Sequence, residues 1–503
     1  MDKLRVLLIS PQYGFLSQSI ISTPPLGLVY LGTVIKKETR TVKILDAAVG
    51  TSQSVDGGYY VGMANEEVKT IITDFSPHII GLGCQFSSKW DNLVEIAKLA
   101  KRIHPGCITV AGGIYPSMYT GDCLRTVPAL DFCFIGEGET AFLKFISLVE
   151  QNQGTISEDT FLEIRGIEGL IYREGDQVRV NPKREYIENL DELPYPDYDL
   201  IIGGAEQYFR KDINTPLRLG ERFLPILSSR SCPIQCSFCN MHITHGKKMR
   251  KRTAENVVGE MRYFHDKYGV DSFEFIDDNA SLDRKRFIEI NRGISRLGYK
   301  VKLAANNGLM INSLDEEVVR SMKEAGFRFV AIAVESADEN IRKNVIGKPI
   351  DEKKICEVVS LLKKAKIFVC VYFITGFVEE DRGVVDRNIA MISKLQPNLI
   401  AVSALQLYPC TSLYDSYKER GFIPVDFATT HLRNELKVSN MELFPGYKEE
   451  VLKRKRLLFK AFILSLLSHP WDMFRFYDIY FDFGRILSNL KMYIDAAWGT
   501  KRD

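Results

Sequence analysis

Three cysteines fall within one short stretch, Cys232-Pro233-Ile234-Gln235-Cys236-Ser237-Phe238-Cys239. Thiolates are soft donors that suit iron–sulfur clusters and zinc. A closed site takes four ligands, so three thiols would leave one iron of a [4Fe–4S] cluster open to a substrate. The competing reading is a zinc knuckle completed by a distant ligand, His242 or His245. Structural zinc sites usually come as paired C-x₂₋₄-C units, so the cluster is the expectation.

Such a loop needs a rigid strand ahead of it. From residue 222 the chain reads as a β/α series, with strand-like runs at Phe223–Ser228, Ser272–Ile276, Lys302–Ala305, Phe329–Val334, Ile367–Ile374 and Leu399–Leu407. Each gap is long enough for a crossover helix. Six units over about 190 residues predict a partial (β/α)6 barrel, since a full eight-stranded barrel takes about 250. The cysteines leave the first strand at its carboxyl end, where such folds place their active face. Other chemistry falls on the same face. Phe275-Ile276-Asp277-Asp278-Asn279 ends the second strand, and a carboxylate there suits an ammonium donor; Asp278 or Asn279 could equally cap the next helix. Val334-Glu335-Ser336 ends the fourth, where an unpaired carboxylate would be costly, so Glu335 meets either a ligand or a salt-bridge partner. Gly376 follows the fifth, as a plain turn or as a close approach of backbone to ligand.

The first 150 residues carry five strand-like runs, Arg5–Ser10, Val42–Ala47, Ile79–Cys84, Cys107–Ala111 and Asp131–Ile135, with helical patterns between them. That alternation predicts a doubly wound, Rossmann-like parallel sheet. Ligands on such sheets sit at the carboxyl strand ends, where Gly112-Gly113 and Ser87-Ser88 could open a slot. Residues 151–215 read as a connector with a hairpin, Leu170–Arg173 and Gln177–Val180, and a stiff Leu193-Pro194-Tyr195-Pro196-Asp197 linker. The barrel occupies 216–415. A helical region, 416–503, crowds Lys453, Arg454, Lys455 and Arg456 together and ends in an aromatic tail, Trp471, Phe474, Phe476, Tyr477, Tyr480, Phe481 and Phe483.

The cysteine loop, with Phe238 as the aromatic of C-x₃-C-x-φ-C after the first strand of a partial barrel, resembles the radical S-adenosylmethionine (SAM) superfamily over about 222–415. The resemblance implies that Cys232, Cys236 and Cys239 hold a [4Fe–4S] cluster and that SAM chelates its open iron. One electron would then cleave SAM to a 5′-deoxyadenosyl radical. It also implies that Asp277 or Asp278 contacts the SAM amine, that Glu335 and Ser336 contact its ribose, and that Gly376 lines the site. Leu407-Tyr408-Pro409-Cys410-Thr411 resembles a motif that usually reads P-G-T; here Cys410 replaces the glycine.

The preceding domain narrows this. Pro24-Pro25-Leu26-Gly27-Leu28, Gly112-Gly113-Ile114-Tyr115-Pro116-Ser117, Gly136-Glu137-Gly138-Glu139 and Leu193-Pro194-Tyr195-Pro196 resemble the cobalamin-binding radical SAM enzymes, extending the likeness to about 1–415. The resemblance implies a cobalamin at Gly112, Gly113 and Ser87. The D-x-H-x-x-G motif, whose histidine ligates cobalt, is absent. The lower face of cobalt would then meet water or a side chain near Tyr13 or Gln85. The expected activity is methylation of an unactivated carbon of a small-molecule or lipid-like substrate, through the deoxyadenosyl radical and methylcobalamin. The alternative is a cyclase, dehydratase or rearrangement enzyme of the same build. A bare iron–sulfur sensor would have no use for Asp277, Glu335 and a second domain. An electron donor such as flavodoxin or ferredoxin is implied.

Composition bounds these readings. The chain has 503 residues, room for two to four domains at about 100–200 each. Its 45% apolar and 26% charged content excludes disorder, collagen and coiled coil. Lys+Arg 66 against Asp+Glu 64 leaves +2, so nothing draws it generally to nucleic acid. Ten cysteines are too sparse for a disulfide scaffold. Met1-Asp2-Lys3-Leu4-Arg5 runs straight into an apolar strand without a signal-peptide pattern, and no apolar run reaches the about 18 residues of a membrane span. These features predict a cytoplasmic protein. The basic, aromatic C-terminal region is a candidate for peripheral membrane contact or for covering a greasy substrate; packing as a helical cap on the barrel is the plainer reading.

Overall fold

Strand β1 (Leu4–Ser10) is buried along almost its whole length, as expected of a strand covered by helices on both faces of a parallel sheet. It sits inside the sheet of the first of two units in a computed structural model, which describes residues 3–15, 23–55, 58–209, 222–423 and 443–467. Of the described residues, the first unit takes 3–209 and 240–246, and the second takes 222–239, 247–423 and 443–467.

In the first unit the following strands are β2 (Tyr13–Phe15), β3 (Arg40–Asp46), β4 (Thr51–Val55), β5 (Gly58–Gly62), β6 (Ile79–Cys84), β7 (Ile108–Gly113), β8 (Phe132–Phe134), β9 (Leu170–Glu174) and β10 (Gln177–Val180). The main sheet runs β10-β9-β8-β7-β6-β1-β3, and β2-β5-β4 form a small separate sheet. Strands β3, β1, β6, β7 and β8 are parallel. Helices Leu26–Ile35, Asn65–Phe75 and Trp90–Ile103 connect β1, β3, β6 and β7 in turn, and Glu139–Gln151 follows β8. Trp90–Ile103 shows why they cover the sheet: Trp90, Leu93, Ile96, Ala97 and Ala100 are buried on one stripe.

The expected connector is different in kind. Its hairpin adds β9 and β10 antiparallel to the edge of the main sheet, with Cys133 opposite Ile171 and Phe134 opposite Leu170. Leu170, Ile171 and Tyr172 are an apolar run, buried to 7% exposure or less, and pairing them with β8 removes an open strand edge. Farther on, Tyr208 reaches back to β3, donating to Asp46 Oδ2 at 2.8 Å. The segment thus completes the first unit.

The second unit carries β11 (Phe223–Ile226), β12 (Ser229–Arg230), β13 (Arg250–Lys251), β14 (Ser272–Phe275), β15 (Lys302–Ala305), β16 (Phe327–Glu335), β17 (Phe368–Thr375) and β18 (Leu399–Ala404). Six of them form one parallel sheet in sequence order, β11-β14-β15-β16-β17-β18. Helices Ala254–Tyr268, Arg284–Ser295, Glu316–Ala325, Glu352–Lys364 and Val384–Leu395 fill the crossovers, giving the partial (β/α)6 barrel. The cap of the helix after β14 is Asp283, which accepts Arg286 N–H, so Asp278 and Asn279 are left for other work.

The C-terminal helix, Tyr447–Leu467, buries Tyr447, Val451, Leu458 and Phe462. Its basic run is not one surface. Arg454 turns inward, ion-paired to Glu380, with their side chains 8% and 0% exposed. The aromatic tail from Trp471 to Phe483 lies outside the described residues. No helix among the described residues is long and apolar enough to cross a membrane.

Candidate functional site

The cysteine loop is strapped down from several sides of the second unit. At its root, Ser228 N–H donates to both carboxylate oxygens of Asp277 at 3.1 Å, and the Ser228 and Ser229 hydroxyls donate to Asp277 Oδ1 at 2.6 Å each. Arg286 adds bonds to Ser228 O at 3.0 Å and to Ser228 Oγ at 3.2 Å. Ser231 takes a left-handed φ of 70°, with its N–H on Asp278 Oδ2 at 2.9 Å. Farther along, Ser237 N–H and Oγ donate to the carbonyls of Ile346 and Val345 at 2.9 and 2.6 Å. Leu413 N–H donates to Ser237 O at 2.9 Å. Phe238 and Cys236 pack half-buried on an apolar cluster that includes Ile341, Ile346, Phe377 and Leu413; the aromatic is the anchor that holds the loop down.

Cys232, Cys236 and Cys239 are all half-buried. Burial pushes the Cys236 thiol up to about 12; Lys348 pulls it back, and Cys239, Glu335 and Cys232 push it further. The fold therefore brings Cys232, Cys239, Glu335 and Lys348 within electrostatic reach of Cys236. Among the described residues, no three His, Cys, Asp or Glu side chains are placed to hold a single metal ion. His245, a candidate fourth zinc ligand, lies in the first unit with Nδ1 at 2.9 Å from Glu137 Oε1.

Several residues expected to touch a ligand have partners within the chain. Asp277 is 2% exposed and takes three of its four bonds from Ser228 and Ser229 on Oδ1, so it braces the loop. Asp278, the other candidate for the amine contact, is half-buried beside it. Ser336 is fully buried, its hydroxyl accepting Asp338 N–H at 3.1 Å and its carbonyl accepting Arg342 at 2.7 Å; it shapes the turn. Gly376 packs against the C-terminal helix. Its φ is 111°, and a Cβ there would run into the Tyr447 hydroxyl of the C-terminal helix. Glu335 ends β16 after a register slip, at φ 67°, and a slip of this kind re-aims a side chain. Its Oε1 accepts Lys348 Nζ at 2.9 Å.

In the first unit the carboxyl strand ends gather Ser10 from β1, Asp46 from β3 and Lys89 after β6. Lys89 Nζ donates to Ser10 Oγ at 2.9 Å. Burial lowers the Lys89 pKa and raises that of Asp46, each opposed by the other's charge. Sequence reasoning missed Lys89. The signal was a cation just ahead of helix Trp90–Ile103, at the positive end of its dipole, where it needs an anion. Ser87 is 1% exposed, so it lies beneath the surface a cofactor would touch. The residue that faces outward there is Phe86, 50% exposed. Gly113, at φ 108°, has Cys84 backbone where a Cβ would stand; Gly112 faces space, with Phe134 O nearest at 3.9 Å. The opening beside Gly112 and the apolar Phe86 fit a flat, greasy macrocycle with a slender tail.

A family profile described as Radical SAM superfamily matches residues 226–387, and one described as B12 binding domain matches 21–146. An uncharacterized methyltransferase of Pyrococcus horikoshii is 30% identical over 417 residues, 82% of this chain and 83% of that protein. The chain belongs to the radical SAM superfamily, in its B12-binding branch. This radical SAM enzyme is also similar to the anaerobic magnesium-protoporphyrin IX monomethyl ester cyclase of Cereibacter sphaeroides, at 25% identity over 99% of this chain and 76% of that protein. Its fold matches the cobalamin-dependent S-adenosylmethionine radical enzyme OxsB with aqua-cobalamin and S-adenosylmethionine bound. That match has a TM-score of 0.70, at 16% identity over 97% of this chain and 72% of that one. The enzyme accordingly uses a [4Fe–4S] cluster, SAM and cobalamin.

Proposed function

We propose that this radical SAM enzyme methylates an unactivated carbon of a small-molecule or lipid-like substrate. The observation that carries the reading is the gathering of Cys232, Cys236, Cys239, Glu335 and Lys348 at the carboxyl end of one barrel, in a chain that also carries a B12-binding sheet with an opening at Gly112. The cluster would supply one electron to bound SAM, and cobalamin would carry the methyl group. The protein's own part is positional. Asp278 accepts the SAM amine, and Glu335 takes the ribose hydroxyls with the oxygen that Lys348 leaves open. Lys348 pairs with Glu335 and fixes its position in a nearly dry setting. Asp277 and Arg286 hold the loop root rigid through Ser228.

The half-buried thiols support a reducing compartment, the cytoplasm, with a flavodoxin- or ferredoxin-type electron donor. Leu457 and Leu464, 40% and 59% exposed beside the exposed Lys453 and Arg456, support peripheral contact with a membrane or a greasy substrate. Match to a cyclase over nearly the whole chain favours a second reading, ring closure without methyl transfer.

The test is anaerobic reconstitution with iron, sulfide and hydroxocobalamin, gel filtration, and turnover with methyl-labelled SAM. Corrin absorbance travelling with the protein and a product heavier by one labelled methylene unit are expected. Corrin-free protein that still forms 5′-deoxyadenosine would replace methyl transfer by the second reading.

A further inference from the structure

One carboxyl inside the barrel is left unexplained by this account. Glu274 sits on β14 in register with Ala304 of β15, which is in register with Phe329 of β16. Ala304, Phe329, Ala331, Phe368 and Cys370 form a buried apolar cluster, with Tyr372 and Ala401 packed on it. The next residue of β14, Phe275, faces the other way, onto Phe287 of the surrounding helix Arg284–Ser295. Glu274 therefore points into the lumen, above an apolar floor.

Its surroundings do not satisfy it. Glu274 is 8% exposed, and its one bond is from Asn306 Nδ2 to Oε1 at 2.5 Å. Among the described residues no group bonds Oε2 and no cation pairs with it. Burial, opposed only by Asn306, pushes its pKa up to about 7. Asn306 follows the carboxyl end of β15. The Tyr372 hydroxyl on its carbonyl, at 2.7 Å, fixes its backbone. Its own Oδ1 is buried without a partner. A buried acceptor left without a donor is costly, and a desolvated carboxyl adds to that. The buried, unpartnered Asn306 Oδ1 beside the Glu274 carboxyl, at the carboxyl half of the barrel, suits an N–H or O–H donor from outside the chain.

We propose that Glu274 and Asn306 form a substrate subsite inside the barrel that binds an N–H or O–H donor, an amine or a hydroxyl, on the molecule to be modified. The subsite rests on the reading that the substrate enters the barrel mouth. The carboxyl and the Asn306 Oδ1 accept the donor's protons. The Ala304, Phe329 and Phe368 floor lies against the carbon skeleton. A substrate with a donor set on an apolar frame is selected over one that is apolar throughout, because only the first fills both acceptors.

The test uses full-length protein with its cluster reconstituted and SAM present. n-Propylamine and n-propanol are the probes, with propyltrimethylammonium as a cation that has no donor. Binding is read by saturation-transfer NMR, without turnover. Saturable binding of propylamine or propanol is expected, weakened about tenfold in Glu274→Gln and in Asn306→Ala, with the quaternary probe not bound. Thermal unfolding of Glu274→Gln, which keeps the shape and the Asn306 bond, checks the fold. Absence of binding, equal binding of the quaternary probe, or binding unchanged in both variants would overturn the subsite. The outcome is independent of methyl transfer. Donor binding that tracks Glu274 without a methylated product would sink the functional reading and leave the subsite standing; a methylated product without such binding would do the reverse.

Discussion

Lys348 Nζ lies 2.9 Å from Glu335 Oε1 and 2.8 Å from the Ala333 carbonyl, so one ammonium closes the register slip at the end of β16. Both side chains are nearly dry, 12% and 7% exposed. Removing one partner of such a pair leaves a buried charge and costs about 3 kcal/mol. Lys348→Met should lose about that much in urea unfolding and weaken SAM binding in equilibrium dialysis. Glu335→Gln should unfold with a smaller loss. Full SAM affinity in both variants would remove the pair from the site.

Asp277 and Asp278 are adjacent yet bond differently, Asp277 to Ser228 and Ser229 and Asp278 to Ser231 N–H. Asp277→Asn turns an acceptor of four bonds into a mixed donor and acceptor facing Ser228 N–H and two hydroxyls. We expect about 2 kcal/mol of destabilisation and poor cluster retention, read by iron content after gel filtration. Asp278→Asn should unfold near wild type, keep its iron, and bind SAM more weakly. The opposite pattern would return the amine contact to Asp277.

This division was not legible in the chain. Asp-Asp-Asn after an apolar strand announces a polar site, but which carboxylate faces inward depends on where Ser228 and Ser229 fall, across a contact of about fifty residues. The sheets and crossover helices were legible because buried parallel strands are apolar throughout and the helices carry one apolar stripe, as in Trp90–Ile103. The cysteine loop was legible because three thiols so close in sequence have few uses. The packing of Gly376 on Tyr447 and of the 151–215 hairpin on β8 was not legible, because those partners come from distant sequence. Lys348 and Glu274 carry no local pattern at all.

Glu274 gives a pH signature with a definite sign. Its folded-state pKa is raised from 4.5 to about 7 by burial, so the folded protein holds a proton that the unfolded chain gives up. Stability contributed by that proton is fully present below about pH 4.5 and is lost as pH rises through about 7. The stability of wild type relative to Glu274→Gln should therefore fall between pH 4.5 and 7, by about 3 kcal/mol at most. A pH-independent difference in chemical unfolding would contradict the placement of Glu274.

Cys410 takes a left-handed φ of 68° in an exposed turn. A non-glycine residue held there carries about 1–3 kcal/mol of strain, partly offset by the greater freedom glycine loses on folding. Thr411 fixes the turn, its Oγ1 donating to Tyr408 O at 2.7 Å, and caps helix Ser412–Glu419. Cys410→Gly should stabilise by about 1 kcal/mol, read as a higher urea midpoint with unchanged slope. A loss of stability would mean that the thiol makes a contact worth more than the strain.

The C-terminal helix is fastened to the end of β17 at two points, and each can be cut separately. Glu380, whose side chain is 0% exposed, accepts Gly376 N–H at 2.9 Å and Thr375 Oγ1 at 3.1 Å and pairs with Arg454. About two turns earlier in the helix, Tyr447 presses its hydroxyl against the bare α-carbon of Gly376. Arg454→Met leaves Glu380 buried without its cation and should cost about 3 kcal/mol. Gly376→Ala meets both an unfavourable φ and the tyrosine, and should cost at least about 2 kcal/mol. Because the first deletes charge and the second adds a methyl, both losing stability implicates the shared contact and neither chemistry alone. Limited proteolysis should then cut within 447–467 in both variants before the barrel is cut. Leu464→Ala, at 59% exposure, should leave cleavage and stability unchanged. A helix that stays protected in Gly376→Ala would show that glycine is there for a reason other than the docking of Tyr447.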